Sequence, residues 1–287
     1  MDDTIKYVLA AGATSIVTKT SVAPLERIKM LKQTNGTTHK YSNMALTCII
    51  KNIYKEDGIK GFYKGNGSNI VRCLPVYTIK FTVNDKIRQF MLKPGQTVRD
   101  LTFKQAIIAG FISGFVQDIV TYPLDLIRTR IATSNVTYNG IAHCIKSTIQ
   151  NEGFRGLYKG LPVSIITCTP YVGLQMSLYD YFKNTISIDN NTTKSLLSGA
   201  MAGIVAQTIT YPGDTIKRQM QLNGSDVNIA TYRSCTHCFK QIYKREGIAG
   251  LYRGLHLNMI RCMPEVAIQM WAYDWFKKQL KLNHTVV

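Results

Sequence analysis

Three copies of one short pattern limit what this chain of 287 residues can fold into. Pro24-Leu25-Glu26-Arg27-Ile28-Lys29 places an acid two residues after a proline and a base three residues after the acid. The pattern returns as Pro123-Leu124-Asp125-Leu126-Ile127-Arg128 and as Pro212-Gly213-Asp214-Thr215-Ile216-Lys217. Each copy follows an apolar run, where a charge is costly unless it meets a partner. Gly58, Gly153 and Gly247, at intervals of 95 and 94 residues, confirm the period. A repeat outranks the length prior of about two soluble domains. It divides the chain into residues 1–98, 99–187 and 188–287.

Each unit carries the same parts. Apolar runs at 5–23, 106–122 and 195–211 are long enough to cross much of a bilayer core of about 30 Å. Small residues four apart, Ala11/Ser15, Gly110/Gly114 and Gly199/Gly203, sit at one fixed offset before each proline, a spacing that allows close helix approach in lipid. A polar linker follows, then a short amphipathic helix (45–55 in the first unit) suited to a membrane interface. Next comes acid-Gly-x4-Tyr-base-Gly: Asp57-Gly58 to Gly65, Glu152-Gly153 to Gly160, and Glu246-Gly247 to Gly254. Its glycines suit either an anion at a helix start, such as a lipid phosphate, or plain turn chemistry. A second long helix near 68–91, 161–184 and 255–280 contains Pro75, Pro170 or Pro264. It ends in Asp85/Arg88, Asp180/Lys183 or Asp274/Lys277, with Tyr179 and Tyr273 preceding two of the acids and Asn84 the third. The sum is an all-α chain of three helical hairpins, six long helices in all.

Composition narrows the function less. Thirty-five Lys and Arg against 17 Asp and Glu give a net charge of +18, which suits nucleic acid, anionic lipid or anionic solutes. A soluble nucleic-acid binder would show a basic stripe, whereas these bases sit beside acids at the ends of apolar runs. A mean hydropathy of −0.04 fits a membrane protein whose helices enclose polar space. Seven cysteines without a secretory signal argue against a disulfide framework, and Cys235/Cys238 lacks a second pair to complete a zinc site. Cys48, Cys144 and Cys238 are read instead as small buried residues of the short helices. Met1-Asp2-Asp3 resembles neither a transit nor a signal peptide, so targeting is expected to be internal. An enzyme is not indicated: no nucleophile triad and no phosphate loop can be placed.

These residues resemble the mitochondrial carrier family along essentially the whole chain. The resemblance implies an all-α membrane protein of six transmembrane helices with pseudo-threefold symmetry around a central cavity, alternating access, a monomer, and a multi-pass location in the mitochondrial inner membrane. It implies neither cofactor nor metal, and a cardiolipin-like phosphate at the Tyr-base-Gly turns. The proline motifs become a matrix gate of pairs Glu26–Arg128, Asp125–Lys217 and Asp214–Lys29, braced by Gln33 and Gln221, with Ala132 in the third brace position. The opposite, cytoplasmic gate becomes Asp85–Lys183, Asp180–Lys277 and Asp274–Arg88, with Tyr179 and Tyr273.

The residues that break the repeat speak to the cargo. Lys19 has Asp118 and Gln207 as equivalents. Arg72, Thr167 and Arg261 match the family's substrate contact points, with Cys73, Cys168 and Cys262 beside them, and Lys80 lies near the face of Arg72. Lys80 and Tyr77 also read as lipid-facing. Tyr171 and Gln175 offer contacts for a base. This basic set, with Asp118 and Glu265 nearby, suits a polyanion. Residues 19–29 look like the first helix of the nucleotide-type carriers (ADP/ATP, ATP-Mg/phosphate and coenzyme A). However, Lys217-Arg218-Gln219-Met220-Gln221-Leu222 departs from the run of three arginines and three methionines in ADP/ATP carriers. The expected activity is exchange of nucleotides, ribo- or deoxyribo-. Coenzyme A, another phosphorylated cofactor and a basic amino acid remain alternatives.

Overall fold

A computed structural model describes residues 3–34, 44–92, 103–134, 136, 138–186, 191–225 and 232–279. Among them are nine α-helices and no strand. In chain order they are α1 (Asp3–Gln33), α2 (Leu46–Gly61), α3 (Asn66–Met91), α4 (Phe103–Thr133), α5 (Ile141–Glu152), α6 (Leu161–Thr185), α7 (Asn191–Leu222), α8 (Cys235–Leu251) and α9 (Leu255–Gln279). Long, short, long recurs three times, as the period requires. A 3-10 turn, Phe154–Tyr158, follows α5.

The helices α1, α4 and α7 run through Pro24, Pro123 and Pro212 without interruption. A proline removes one rung of the ladder, and packed neighbours hold the turns on either side. At 31 residues, α1 is about 46 Å long at 1.5 Å per residue. No helix of the described residues has a stretch long and apolar enough to cross a membrane. The expected continuous apolar spans are therefore not met, because hydroxyl, amide and charged side chains recur along each helix.

Burial is inverted relative to a water-soluble bundle. On α4, Ser113, Thr121, Asp125, Arg128, Thr129 and Arg130 are buried, while Ile108, Phe111, Ile112, Phe115 and Val120 are exposed. On α9, Asn258 is buried while Ile260, Val266, Met270 and Trp271 are exposed. Many polar groups of these helices face inward and many apolar ones outward, although Leu126, Ile127 and Leu257 are buried.

The helices α1, α4 and α7 pack on one another around their proline-motif ends, and α3, α6 and α9 lie chiefly against α4, α7 and α1. Three separate apolar clusters fasten the short helices beneath this ring. Ile28, Leu31, Ile49, Ile53 and Leu257 join α1, α2 and α9. Tyr122, Leu126, Ile127, Cys144 and Leu157 join α4 to α5 and its following turn. Val163, Ile216, Met220, Cys238, Ile242 and Leu251 join α6, α7 and α8. Each fully buried Leu or Ile there contributes about 1.5–3 kcal/mol of transfer free energy. Cys144 and Cys238 are buried as expected, and burial pushes their thiols up to about 11 and about 12. Cys48, by contrast, is exposed, since α2 rolls Ile49 and Ile53 inward in its place.

The small residues four apart do not uniformly bring helices together. Ser15 meets Cys73 of α3 at 3.2 Å. Nothing lies within 4 Å of a Cβ placed at Gly114 or Gly203, and at Gly199 only Tyr179 comes near, at 3.9 Å. Close approach occurs elsewhere, at the last glycine of the second motif. Gly65, Gly160 and Gly254 have φ of 86°, 87° and 81°. A Cβ there would lie 3.1 Å from Arg128 O, 3.2 Å from Lys217 O and 3.4 Å from Lys29 O. Each turn thus presses on the backbone of the proline-motif base in the next unit, which helps place the three bases in a ring.

Candidate functional site

Two of the three expected pairs of the proline-motif ring are formed. Glu26 on α1 pairs with Arg128 on α4, and Asp125 on α4 pairs with Lys217 on α7 at 3.0 Å. The third, Asp214–Lys29, is not formed. Lys29 donates to Asn258 Oδ1 on α9 at 2.8 Å, and Asp214 accepts from Gln207 on its own helix at 2.8 Å. The two lysines nevertheless occupy equivalent places. Lys217 lies 5.4 Å over the Tyr122 ring and Lys29 lies 5.6 Å over the Tyr211 ring. Lys217 also donates to Ser164 at 2.9 Å, as Lys29 does to Asn258. In the first unit Ala23 stands where these tyrosines are.

The charge is gathered unevenly. Asp125, almost fully buried, takes Arg72 of α3 at 2.6 Å and Arg218 at 3.4 Å in addition to Lys217. Gln221 Nε2 donates to the same carboxylate at 3.0 Å, so the second brace residue engages its pair. Gln33 does not: its amide donates to Thr215 Oγ1 at 3.2 Å. That fits the unmade third pair, whose acid is the neighbouring residue Asp214. Ala132 adds no brace; it packs under Gly65.

The second motif closes on itself in every unit. Asp57 takes Lys64 at 2.6 Å, Glu152 takes Lys159 at 2.6 Å, and Glu246 takes Arg253 at 2.9 Å. Arg27 joins the first cluster at 3.4 Å, and Arg130 joins the second through both guanidinium ends at 2.5 and 3.0 Å. Burial raises the Glu152 carboxyl, but bonds from Arg130 and Lys159 outweigh it and hold the group below the ordinary value. Asp57 is held low by the same balance, with Lys64 as the main partner. Tyr122 and Tyr211 donate to Lys159 O at 2.8 Å and Arg253 O at 2.9 Å, and stack on Tyr158 and Tyr252.

Above the ring, the cargo candidates separate into two groups. Lys19 of α1 pairs with Glu265 of α9 at 2.5 Å, and Arg261 pairs with the other oxygen of the same carboxylate. Arg261 also donates to Asn258 at 3.1 Å, which links this set to Lys29. Arg72 stands apart, held by Asp125. Thr167 turns onto α7, where a Cβ at Gly213 would fall 2.3 Å from its hydroxyl, and it donates to Val163 O at 2.7 Å. That contact explains a glycine where the other motifs have leucine. Asp118 accepts from Ser164 at 2.9 Å. Tyr171 is half-buried on α6. The side chains of Lys80 and Cys168 lie outside the described residues.

At the opposite end, Asp180–Lys277 is the one expected pair whose side chains are both described. Asp180 and Lys277 form no ion pair among the described residues, and Asp180, Lys183 and Asp274 are exposed. Lys183 lies 5.5 Å over the ring of Tyr179 on its own helix. Tyr273 is half-buried. The side chains of Asp85 and Arg88, on which the other two pairs depend, lie outside the described residues. The charge set is therefore drawn together at the proline-motif end, whereas Asp180 and Lys277 at the other end are unpaired with each other.

Sequence reasoning missed Asn258 and Ser164 as partners of the ring bases, and Arg218 as a third cation on Asp125. The first two were findable. Each stands four residues after the last glycine of the second motif, where the first unit has Asn69. Arg218 left no such signal, because its equivalents are Met30 and Thr129.

Three all-helical repeats, with charged side chains buried at one end and apolar ones turned outward, define the class of protein. A family profile described as "Mitochondrial carrier protein" matches residues 2–95, 99–190 and 188–284. The chain belongs to the mitochondrial carrier family, whose members are transporters of the mitochondrial inner membrane. It is similar to "Mitochondrial carrier protein CoAc2" of Zea mays, at 32% identity over 97% of this chain and 87% of that protein. Similarity to "Mitochondrial adenine nucleotide transporter ADNT1" of Arabidopsis thaliana is 33% identity over 98% of this chain and 88% of that protein. "Solute carrier family 25 member 16" of Bos taurus is 33% identical over 97% of this chain and 90% of that protein.

Proposed function

We propose that this carrier exchanges nucleotides, ribo- or deoxyribo-, across the inner membrane by alternating access. The observation that carries the reading is the convergence of Lys19 and Arg261 on one carboxylate above the proline-motif ring, with Arg72 on Asp125. Three symmetry-breaking bases in one interior suit phosphate oxygens, and an adenine nucleotide transporter is among the relatives. The acids Glu265 and Asp118 are already engaged, by bases and by Ser164, which disfavours a basic amino acid as cargo. Coenzyme A or another phosphorylated cofactor is the second reading, since its phosphates would meet the same bases.

In this reading the six long helices cross the bilayer as a barrel. The outward apolar side chains meet lipid, and the polar interior lowers the hydropathy of each helix. The proline-motif ring is a matrix gate in its closed state. Asp85, Arg88, Asp180, Lys183, Asp274 and Lys277 form the cytoplasmic gate, with Tyr179 and Tyr273 beside it. Lys19, Arg72, Lys80, Thr167, Cys168, Tyr171 and Arg261 make up the substrate site. Arg72 links site and gate, because a phosphate that takes Arg72 withdraws a cation from Asp125. A weak pair that can be remade is a switch element rather than a source of stability. The carrier works as a monomer. The N-termini of α3 and α6 begin at Gly65 and Gly160 without a side-chain cap, which leaves backbone N–H groups for a lipid phosphate.

The test is uptake of labelled ATP, ADP and dATP into liposomes loaded with the same nucleotides. Exchange is expected, with loss in Arg72→Ala. No exchange of any nucleotide, or full exchange in Arg72→Ala, would sink the reading.

A further inference from the structure

Glu265 stands where the threefold pattern has no acid. Counted four residues beyond Arg72, Thr167 and Arg261, the equivalent positions hold Val76, Tyr171 and Glu265. Lys19 breaks the pattern too, with Asp118 and Gln207 as equivalents. The two symmetry-breaking residues meet: Lys19 Nζ lies 2.5 Å from Glu265 Oε1, and Arg261 binds Oε2. Both carboxylate oxygens are occupied, each by a cation from the proposed cargo set. The side chains of Glu265 and Arg261 are 15% and 13% exposed and that of Lys19 is 29% exposed, so the cluster is partly desolvated.

A carboxylate that bridges two cations in this way occupies the place an incoming phosphate would take. Its two oxygens mimic two phosphate oxygens toward a guanidinium fork and an ammonium. We propose that Glu265 is a built-in counter-anion and specificity-determining residue. It fills the anion subsite of Lys19 and Arg261, so that only an anion with more than one phosphate group displaces it. This inference rests on the polyanion reading above and extends it to a charge threshold.

Displacement costs the carboxylate its two partners and brings a like charge near the arriving one. A single phosphate group, which carries a charge of about −1.5 to −2 at pH 7, spends nearly all of it on replacing the carboxylate and gains little. A di- or triphosphate keeps further charges to place on Arg72 and Lys29, and so repays the exchange. Removing the Glu265 charge should abolish the threshold while leaving both bases in place.

The experiment is a thermal-shift series on the purified detergent-solubilised carrier with inorganic phosphate, pyrophosphate, tripolyphosphate, AMP, ADP and ATP. Wild type should be stabilised by the longer phosphates and hardly by phosphate or AMP. In Glu265→Gln, the concentration of phosphate and AMP needed for half of the shift should fall about fivefold or more, the order expected for one like charge removed at close range. The response to ATP should change least, so the ATP-to-AMP ratio contracts. Glu265→Asp, which keeps the charge, should restore the wild-type order. A merely structural tie between α1 and α9 would lower the starting Tm and leave the ratio unchanged, and that result overturns the proposal. Should Glu265→Gln fail to fold, the shorter neutral side chain of Glu265→Asn leaves Lys19 and Arg261 in place and should show the same contraction; an unchanged ratio there also overturns it. If the inorganic series binds and the nucleotides do not, the nucleotide reading fails while Glu265 is still judged on phosphate against tripolyphosphate. If nothing in the series binds either protein, both fall.

Discussion

Replacing Asp125 by Asn and Asp214 by Asn are equivalent changes in the sequence, since both acids hold the same place in the same motif. The structure makes them unequal. The Asp125 carboxylate takes three cations, Arg72 at 2.6 Å, Lys217 at 3.0 Å and Arg218 at 3.4 Å, as well as the Gln221 amide. Neutralising it leaves buried cations without their counter-charge, and breaking a buried pair costs about 3–5 kcal/mol. Arg218 keeps Thr129 at 2.7 Å and Gln221 at 2.8 Å, which holds the cost within that range rather than tripling it. Asp214 accepts one amide, from Gln207, and an asparagine oxygen can still accept it, so the cost there is about 1 kcal/mol or less. At about 2–4 °C per kcal/mol for chains of comparable size, Asp125→Asn should lower the apparent Tm by roughly 6 °C or more and Asp214→Asn by roughly 4 °C or less. Glu26→Gln, with the single partner Arg128, should fall between them. The assay is thermal unfolding of the purified proteins in one detergent at one scan rate, because unfolding of a membrane protein is commonly irreversible. Equal destabilisation by Asp125→Asn and Asp214→Asn, or a larger effect at Asp214, would refute the uneven ring.

Other outcomes follow from single contacts. Gly160→Ala should destabilise by about 2 kcal/mol or more, since a side chain there meets both a positive φ and the Tyr122 hydroxyl at 2.8 Å. Gly203→Ala, with open space around it, should be neutral or stabilising in the same unfolding assay. Tyr122→Phe and Tyr211→Phe each lose one hydrogen bond to a motif carbonyl and should each cost about 1 kcal/mol. Glu152 is held below its ordinary value of 4.5, so its stabilisation is present above that pH and is lost as pH falls through the lowered value. Wild type should therefore lose apparent Tm from about pH 4.5 downward, and Glu152→Gln should start lower and show a flatter profile in that window.

The repeat was fully legible in the sequence, because motifs that recur at 95 and 94 residues impose the same backbone on each unit. The prolines, the positive-φ glycines and the acid–base spacing are local requirements, and local requirements are written in local residues. Glu26–Arg128 and Asp125–Lys217, which the family resemblance implied, are formed. The resemblance also implied Asp214–Lys29, which is not formed, because Lys29 meets an asparagine from α9. In the same way, Lys19, Arg72, Arg261 and Glu265 were individually visible as residues that break the repeat. The sequence could not say how they would be divided between Glu265 and Asp125. That division depends on which side chains α1, α3, α4 and α9 bring within 3 Å of each other. Charge pairing across helices is a property of their packing, and the chain's local pattern determines the helices but not which neighbour each charge will reach first.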